Sequence, residues 1–253
     1  MRISKTNVLL GSTPSVTTGG SLDSAANVTD PDFSTSYTGT DNNTLRFEFG
    51  ARSNISYVAV AGINISGLGD GLSYVRVADG STAVSANYIV RDNCVMITFD
   101  AKSFSNLRVK LYNAAGDKLP SVRFIAAGEY MQVPNGGENA GYNRQFLNRN
   151  IKTKSTLSNL AAPTAVLTKK IAPSGTLTLP NMTKLFTESE WQDFLDFSVN
   201  NYFFIVEQDL TGEVTQNQSA YLCFDATNTS TSAGAQTRLL NNVSISFKVF
   251  TGL

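Results

Sequence analysis

Hydrophobic and polar positions alternate along much of this chain, at the two-residue period of half-buried β-strands. Leu45-Arg-Phe-Glu-Phe is the clearest case, with Leu45, Phe47 and Phe49 on one face. Ile55-Ser-Tyr-Val-Ala-Val-Ala-Gly-Ile-Asn-Ile follows, then a Gly-rich turn over 67–71 and Tyr74-Val-Arg-Val, closed by the turn Asp79-Gly80. Tyr88-Ile-Val, Cys94-Val-Met-Ile-Thr-Phe and Leu107-Arg-Val-Lys-Leu-Tyr continue the series. Short strands at roughly ten-residue spacing, separated by turn residues and without a helical pattern, predict a β-sandwich.

The pattern restarts after the turn Ala115-Gly-Asp-Lys-Leu-Pro120. Val122-Arg-Phe-Ile-Ala-Ala-Gly is a strand by pattern, and 133–141 is a loop by composition. Asn143 to Ser158 is rich in Arg, Lys, Asn and Thr and reads as an extended, polar, projecting strand. Two strand-like runs flank Pro173-Ser-Gly175. One helix is expected, opened by the capping box Thr187-Glu-Ser-Glu190. Glu188, Glu190 and Asp193 fall in its first turns, where the helix dipole favours negative charge. Trp191, Phe194 and Leu195 supply its apolar face. Beyond it, Tyr202-Phe-Phe-Ile-Val and Ala220-Tyr-Leu-Cys-Phe read as buried strands, and Asn242 to Phe250 alternates cleanly.

Composition narrows the chemistry. The 253 residues are 42% hydrophobic, enough apolar material for one large β domain or two of ordinary size. Twenty basic and twenty acidic residues leave a formal net charge of zero, which gives no long-range attraction for nucleic acid or an anionic membrane. There is no histidine, so serine–histidine and cysteine–histidine catalysis and histidine-based zinc sites are excluded. Cys94 and Cys223 sit among apolar neighbours and read as buried thiols, with a disulfide between them left open. The N-terminus lacks the apolar core of a secretory signal. No apolar run approaches the roughly 18 residues needed to span a bilayer.

Each remaining candidate has a plainer explanation beside it. Asp30 and Asp32 are possible calcium ligands, but Asp-Pro-Asp is also a turn initiator, and the turn is the expected role. Glu188, Glu190 and Asp193 are explained by helix capping, and Trp191, Phe203 and Phe204 by the core. Arg144, Arg149, Lys152 and Lys154, with Tyr142 and Phe146 interleaved, would suit a single-stranded nucleic-acid groove. The neutral net charge favours a solvated loop, or an arm that pairs with a neighbouring subunit.

Two resemblances follow. Ser24 to Tyr37 (including Asn-Val-Thr-Asp-Pro-Asp-Phe), Leu45-Arg-Phe-Glu-Phe-Gly50 and Ile55 to Asn64 resemble the galactose-binding, discoidin-like β-sandwich, with Tyr37 where that family usually carries Trp. This resemblance covers about the first half of the chain and implies sugar or lipid contact through loops at one end. The second half is similar to the distal tail, or baseplate ring, proteins of long-tailed bacteriophages. The matching residues are Phe124-Ile-Ala-Ala-Gly-Glu, Thr176 to Thr183, Trp191 to Phe197, Asn201 to Val206 and Leu239 to Leu253. That similarity implies a barrel-like domain in a hexameric ring around a tail tube, or in a neck ring using the same barrel.

The expected protein is therefore all-β and not an enzyme. A jelly-roll-like sandwich over 1–120 is joined to a barrel-like domain with one short helix over 121–253. It is expected in the virion tail, assembled in the bacterial cytoplasm, without cofactor, metal, membrane insertion or nucleic-acid specificity. Its expected partners are copies of itself, tube, hub and fibre proteins, and a host glycan. Arg144, Phe146, Arg149, Lys152 and Lys154 are its expected oligomer arm.

Overall fold

Leu45, Phe47 and Phe49 are all buried, on and just past the strand β4 (Thr44–Glu48), as the alternation requires. The computed structural model describes residues 1–20, 24–65, 73–85, 88–89, 93–134, 151–157, 163–170, 174–206, 220–233 and 240–250. The chain is all-β with one helical run, a sandwich followed by a curled, barrel-like sheet.

The sandwich has two main sheets. The outer one runs β2 (Ser15–Thr18), β4, β10 (Leu107–Tyr112), β6 (Tyr74–Asp79), β7 (Thr82–Ala83), with β8 (Tyr88–Ile89) also on β6. The inner one is β12 (Phe124–Gly128), β5 (Arg52–Ala61) and β9 (Cys94–Phe104). A small ladder pairs β3 (Tyr37–Thr38) with β11 (Ser121–Val122). Between the main sheets lies a core that includes Leu45, Phe47, Val58, Val60, Val75, Val77, Val109 and Leu111. Tyr37 is buried in this core with its ring against Phe47.

The second half is a six-stranded sheet in the order β13 (Tyr130–Gln132), β1 (Arg2–Ser4), β17 (Phe203–Val206), β18 (Ala220–Ala233), β19 (Leu240–Phe250), β16 (Ser174–Thr183). Register shifts interrupt the β16–β19 and β18–β19 ladders, and such bulges increase strand bend and twist. They curl the sheet around the helical run Lys184–Phe186, Thr187–Trp191 and Gln192–Ser198, whose middle segment is π-helical. Phe186, Trp191 and Phe194 of this run pack with Phe203, Ile205, Val243, Ile245 and Phe247 of the sheet.

Helix entry differs from expectation by one turn. The N-cap is Thr183, whose hydroxyl accepts from Phe186 N at 3.2 Å. Thr187 lies inside the run and donates to Thr183 O at 3.0 Å. Glu190 pairs with Lys5 at 2.9 Å instead of reaching back to cap the helix. The expected apolar face is present: Trp191 and Phe194 are buried, and Leu195 packs against the same core.

A third core joins the halves. One face of β5 looks into the sandwich through Ile55, Val58 and Val60. The opposite face, Tyr57, Ala59 and Ala61, meets Phe204, Val206, Ala220 and Leu222 of the curled sheet. Both faces of β5 and β17 are therefore covered, so each reads as a continuous apolar run instead of an alternating one. Hydrogen bonding also crosses residue 120: β11 and β12 pair with β3 and β5, while β1 pairs with β13 and β17. Among the described residues, no helix is long and apolar enough to cross a membrane.

Candidate functional site

The outer sheet of the sandwich turns its apolar residues inward and presents the alternate positions of three adjacent strands on its other face. These are Arg46 and Glu48 on β4, Arg108, Lys110 and Tyr112 on β10, and Tyr74, Arg76 and Ala78 on β6, all half-buried. Antiparallel register sets Arg46 opposite Lys110, and Lys110 opposite Arg76, so three cations stand in one row across the strands. One row along, Arg108 lies between Glu48 and Ala78; on the other side Tyr112 faces Tyr74.

The two tyrosine rings stack with centroids 5.1 Å apart at 29°. Lys110 Nζ lies 5.8 Å from the Tyr74 centroid and 5.4 Å from that of Tyr112. Arg108 Nε approaches Glu48 Oε1 to 2.8 Å in an ion pair whose N–H is not aimed at the oxygen. Asn106 Nδ2 and Thr17 Oγ1 donate to Glu48 at 3.0 Å each. The bond from Asn106, with that from Thr17 and the positive charge of Arg108, holds the Glu48 carboxyl below its ordinary pKa. A cleft of about 270 Å³ lies on this face, lined by Arg46, Arg76, Arg108 and Lys110 with Ala78, Gly80 and Ser81. Its chemistry is that of an oxyanion cradle beside an aromatic face. The sequence carried the signal, since Leu-Arg-Phe, Val-Arg-Val and Leu-Arg-Val-Lys-Leu each place a cation in the polar phase of a strand.

The expected arm is only partly described. Arg144, Phe146 and Arg149 lie outside the described residues. Lys152 and Lys154 fall on β14 (Ile151–Leu157), which forms an antiparallel ribbon with β15 (Pro163–Lys170), Lys152 at the register position of Lys169 and Lys154 at that of Leu167. Among the described residues this ribbon pairs with no third strand.

The Asp30 and Asp32 carboxylates accept from backbone amides of their own turn, Asp32 N at 2.9 Å and Ser34 N at 2.8 Å. That turn delivers Phe33 to the seam between the halves, its ring 4.7 Å from both Tyr202 and Phe250 and 5.5 Å from Phe124. Arg123 fixes it there by donating to Phe33 O. Cys94 and Cys223 are buried thiols not joined by a disulfide, and burial pushes the Cys223 thiol well up. Among the described residues, no group of three or more Asp, Glu or Cys is arranged to hold a metal ion.

No protein-family model matches the chain, and no curated protein matches it. Solved structures do show a likeness at low scores. Chitosan-binding module 1 of a chitosanase/glucanase from Paenibacillus sp. IK-5 shares 12% identity over 49% of this chain and 99% of that one, with a TM-score of 0.38. The family 32 carbohydrate-binding module of Clostridium perfringens NanJ, solved with galactose, shares 17% identity over 47% and 93%, with a TM-score of 0.35. SpGH29 shares 16% identity over 49% of this chain, but that stretch spans only 28% of SpGH29, with a TM-score of 0.38. Likeness at this level fixes no ligand or activity.

Proposed function

We propose that this chain is a non-catalytic structural protein acting as a subunit of a homo-oligomeric ring, most specifically the distal tail ring of a bacteriophage that joins the tail tube to tip or fibre proteins. The observation that carries the proposal is the β14–β15 ribbon. Its two strands pair with each other and with no further strand among the described residues. An isolated two-stranded ribbon is marginal in water, and its outer edges expose unpaired backbone groups. Closing a ring of identical subunits satisfies such edges by symmetry. The tail-ring similarity of the second half supports the particular particle, and a neck ring is the nearest variant of the same reading. In this proposal the sandwich forms one functional part and the curled sheet the other, with Ser121 to Gly128 as the seam.

The test is deletion of Arg144 to Thr156 in the otherwise full chain. The deletion variant is expected to fold and run as a single copy, whereas the parent assembles. An unchanged oligomer mass would remove the ribbon from the assembly contact and the proposal with it.

A second reading, host-glycan recognition by the sandwich, is supported by the galactose-binding-like pattern of the first half and by the Tyr74–Tyr112 pair. Stacked tyrosines on a half-open sheet face offer the apolar body and polar tips that suit a sugar ring. Glycan-array binding by the full chain, lost on Tyr74→Ala, would support it. Binding unaffected by that change would move recognition away from this face.

A further inference from the structure

We infer that the Arg46–Lys110–Arg76 row is the binding site for an acidic glycan, a saccharide bearing carboxylate, sulfate or phosphate groups. The inference rests on the glycan reading above and names the ligand class.

Cations directly opposite one another on neighbouring strands oppose folding, because cross-strand side chains lie only about 5 Å apart at Cβ. Here three stand in register, and all are half-buried, where solvent screens them less than at a free surface. The carboxylate on this face, Glu48, is already engaged by Arg108, Asn106 and Thr17. Among the described residues neither Arg46 nor Arg76 has an ion-pair or hydrogen-bond partner, and Lys110 meets only the two tyrosine rings. A chain with zero net charge thus concentrates four cations around one cleft. An oxyanion placed there would relieve the repulsion and offer each guanidinium fork its matching acceptor geometry.

Shape selects among polyanions. The row crosses three strands, so it spans roughly 10 Å at the usual strand spacing. At about 270 Å³ the cleft is just below the usual size of ligand sites, which suits a short saccharide better than a long polyanion. Nucleic acid binds instead along extended basic tracks whose field reaches beyond one cleft, and the neutral chain offers no such field. The tyrosine pair beside the row gives a pyranose ring a face to rest on while its anionic substituents reach the cations.

The experiment is calorimetric titration of the intact chain with a heparin-derived tetrasaccharide, a galacturonate oligomer, a neutral galactose oligomer and a twelve-nucleotide thymidine strand. The parent should bind at least one acidic saccharide, more weakly as salt rises, and the Arg46→Gln/Arg76→Gln double variant should bind it about tenfold more weakly or worse. The same variant, unliganded, should melt no lower than the parent, because removing repelling charges does not harm the fold. A purely structural role for the arginines would lower its melting point. Acidic saccharides bound no more tightly than the neutral one would overturn this proposal but leave the glycan reading standing. Binding of no saccharide would end both, and tighter binding of the thymidine strand would overturn the ligand class.

Discussion

The Phe124 and Phe204 rings lie 6.2 Å apart and nearly parallel, at 6°, where the inner sheet of the sandwich meets the curled sheet. Both are fully buried, one on β12 and one on β17, and around them Tyr57, Ala59 and Ala61 complete an apolar seam with Val206, Ala220 and Leu222. A sandwich cut away from the second half would expose this face to water. The two halves are thus tied by burial as well as by β1, which begins the chain and pairs within the distant sheet.

Truncation at the seam should be felt by both halves. Phe204→Ala is expected to cost about 3–5 kcal/mol, the usual range for emptying a buried phenylalanine site. Denaturant unfolding followed by Trp191 fluorescence, which reports the curled sheet, and by far-UV dichroism, which reports both halves, should shift together. Separation of the two curves would show that the seam does not couple the halves.

Gly128 on β12 is required by a close approach. A Cβ there would sit 2.6 Å from Thr6 O and 2.5 Å from Thr6 Oγ1. The neighbouring Glu129 N donates to that same Thr6 hydroxyl at 2.8 Å, so the segment cannot move away without losing a hydrogen bond. Gly128→Ala should destabilise by about 1–3 kcal/mol, as overpacking does, read from the midpoint of urea unfolding.

Acid sensitivity follows from Glu48 and Asp79. The Asn106 amide N–H and the Ser105 hydroxyl and amide donate to Asp79, and these bonds, with Lys102 nearby, hold its carboxyl below the ordinary value. Glu48 is lowered in the same direction, first by Asn106. A carboxyl whose folded pKa is depressed stabilises the fold above its unfolded pKa, and that contribution disappears as pH falls through the folded value. Melting temperature should therefore hold from neutrality to about pH 5 and drop below about pH 4, given ordinary carboxyl values near 4. Glu48→Gln should lower the plateau and flatten the drop; a parallel profile would show that Glu48 carries none of it.

Much of this architecture is written in periodicity, and the gaps have physical causes. Leu45, Phe47 and Phe49 and the Trp191–Phe194 face follow directly from residue spacing, because each belongs to an element with one wet side. Thr187-Glu-Ser-Glu190 matches a capping box, yet Thr183 caps the helix, since Lys5 draws Glu190 into a tertiary ion pair that local sequence does not contain. The three residues of β1 are too few to show a period, so their place in the far sheet had no local signature. The cation row was hidden differently: polar-phase residues of a strand read as solvated, and only register reveals that Arg46, Lys110 and Arg76 are neighbours. Of the expected arm, Lys152 and Lys154 fall on the ribbon, and the other three residues lie outside the described ones.

Self-assembly of the intact chain is tested most directly by its mass in solution. Light scattering at tens of micromolar, with electron micrographs of the same sample, should show closed rings with a central hole at a mass several times the 27.2 kDa of one chain. A stable species of one copy across that concentration range, without rings, would contradict it.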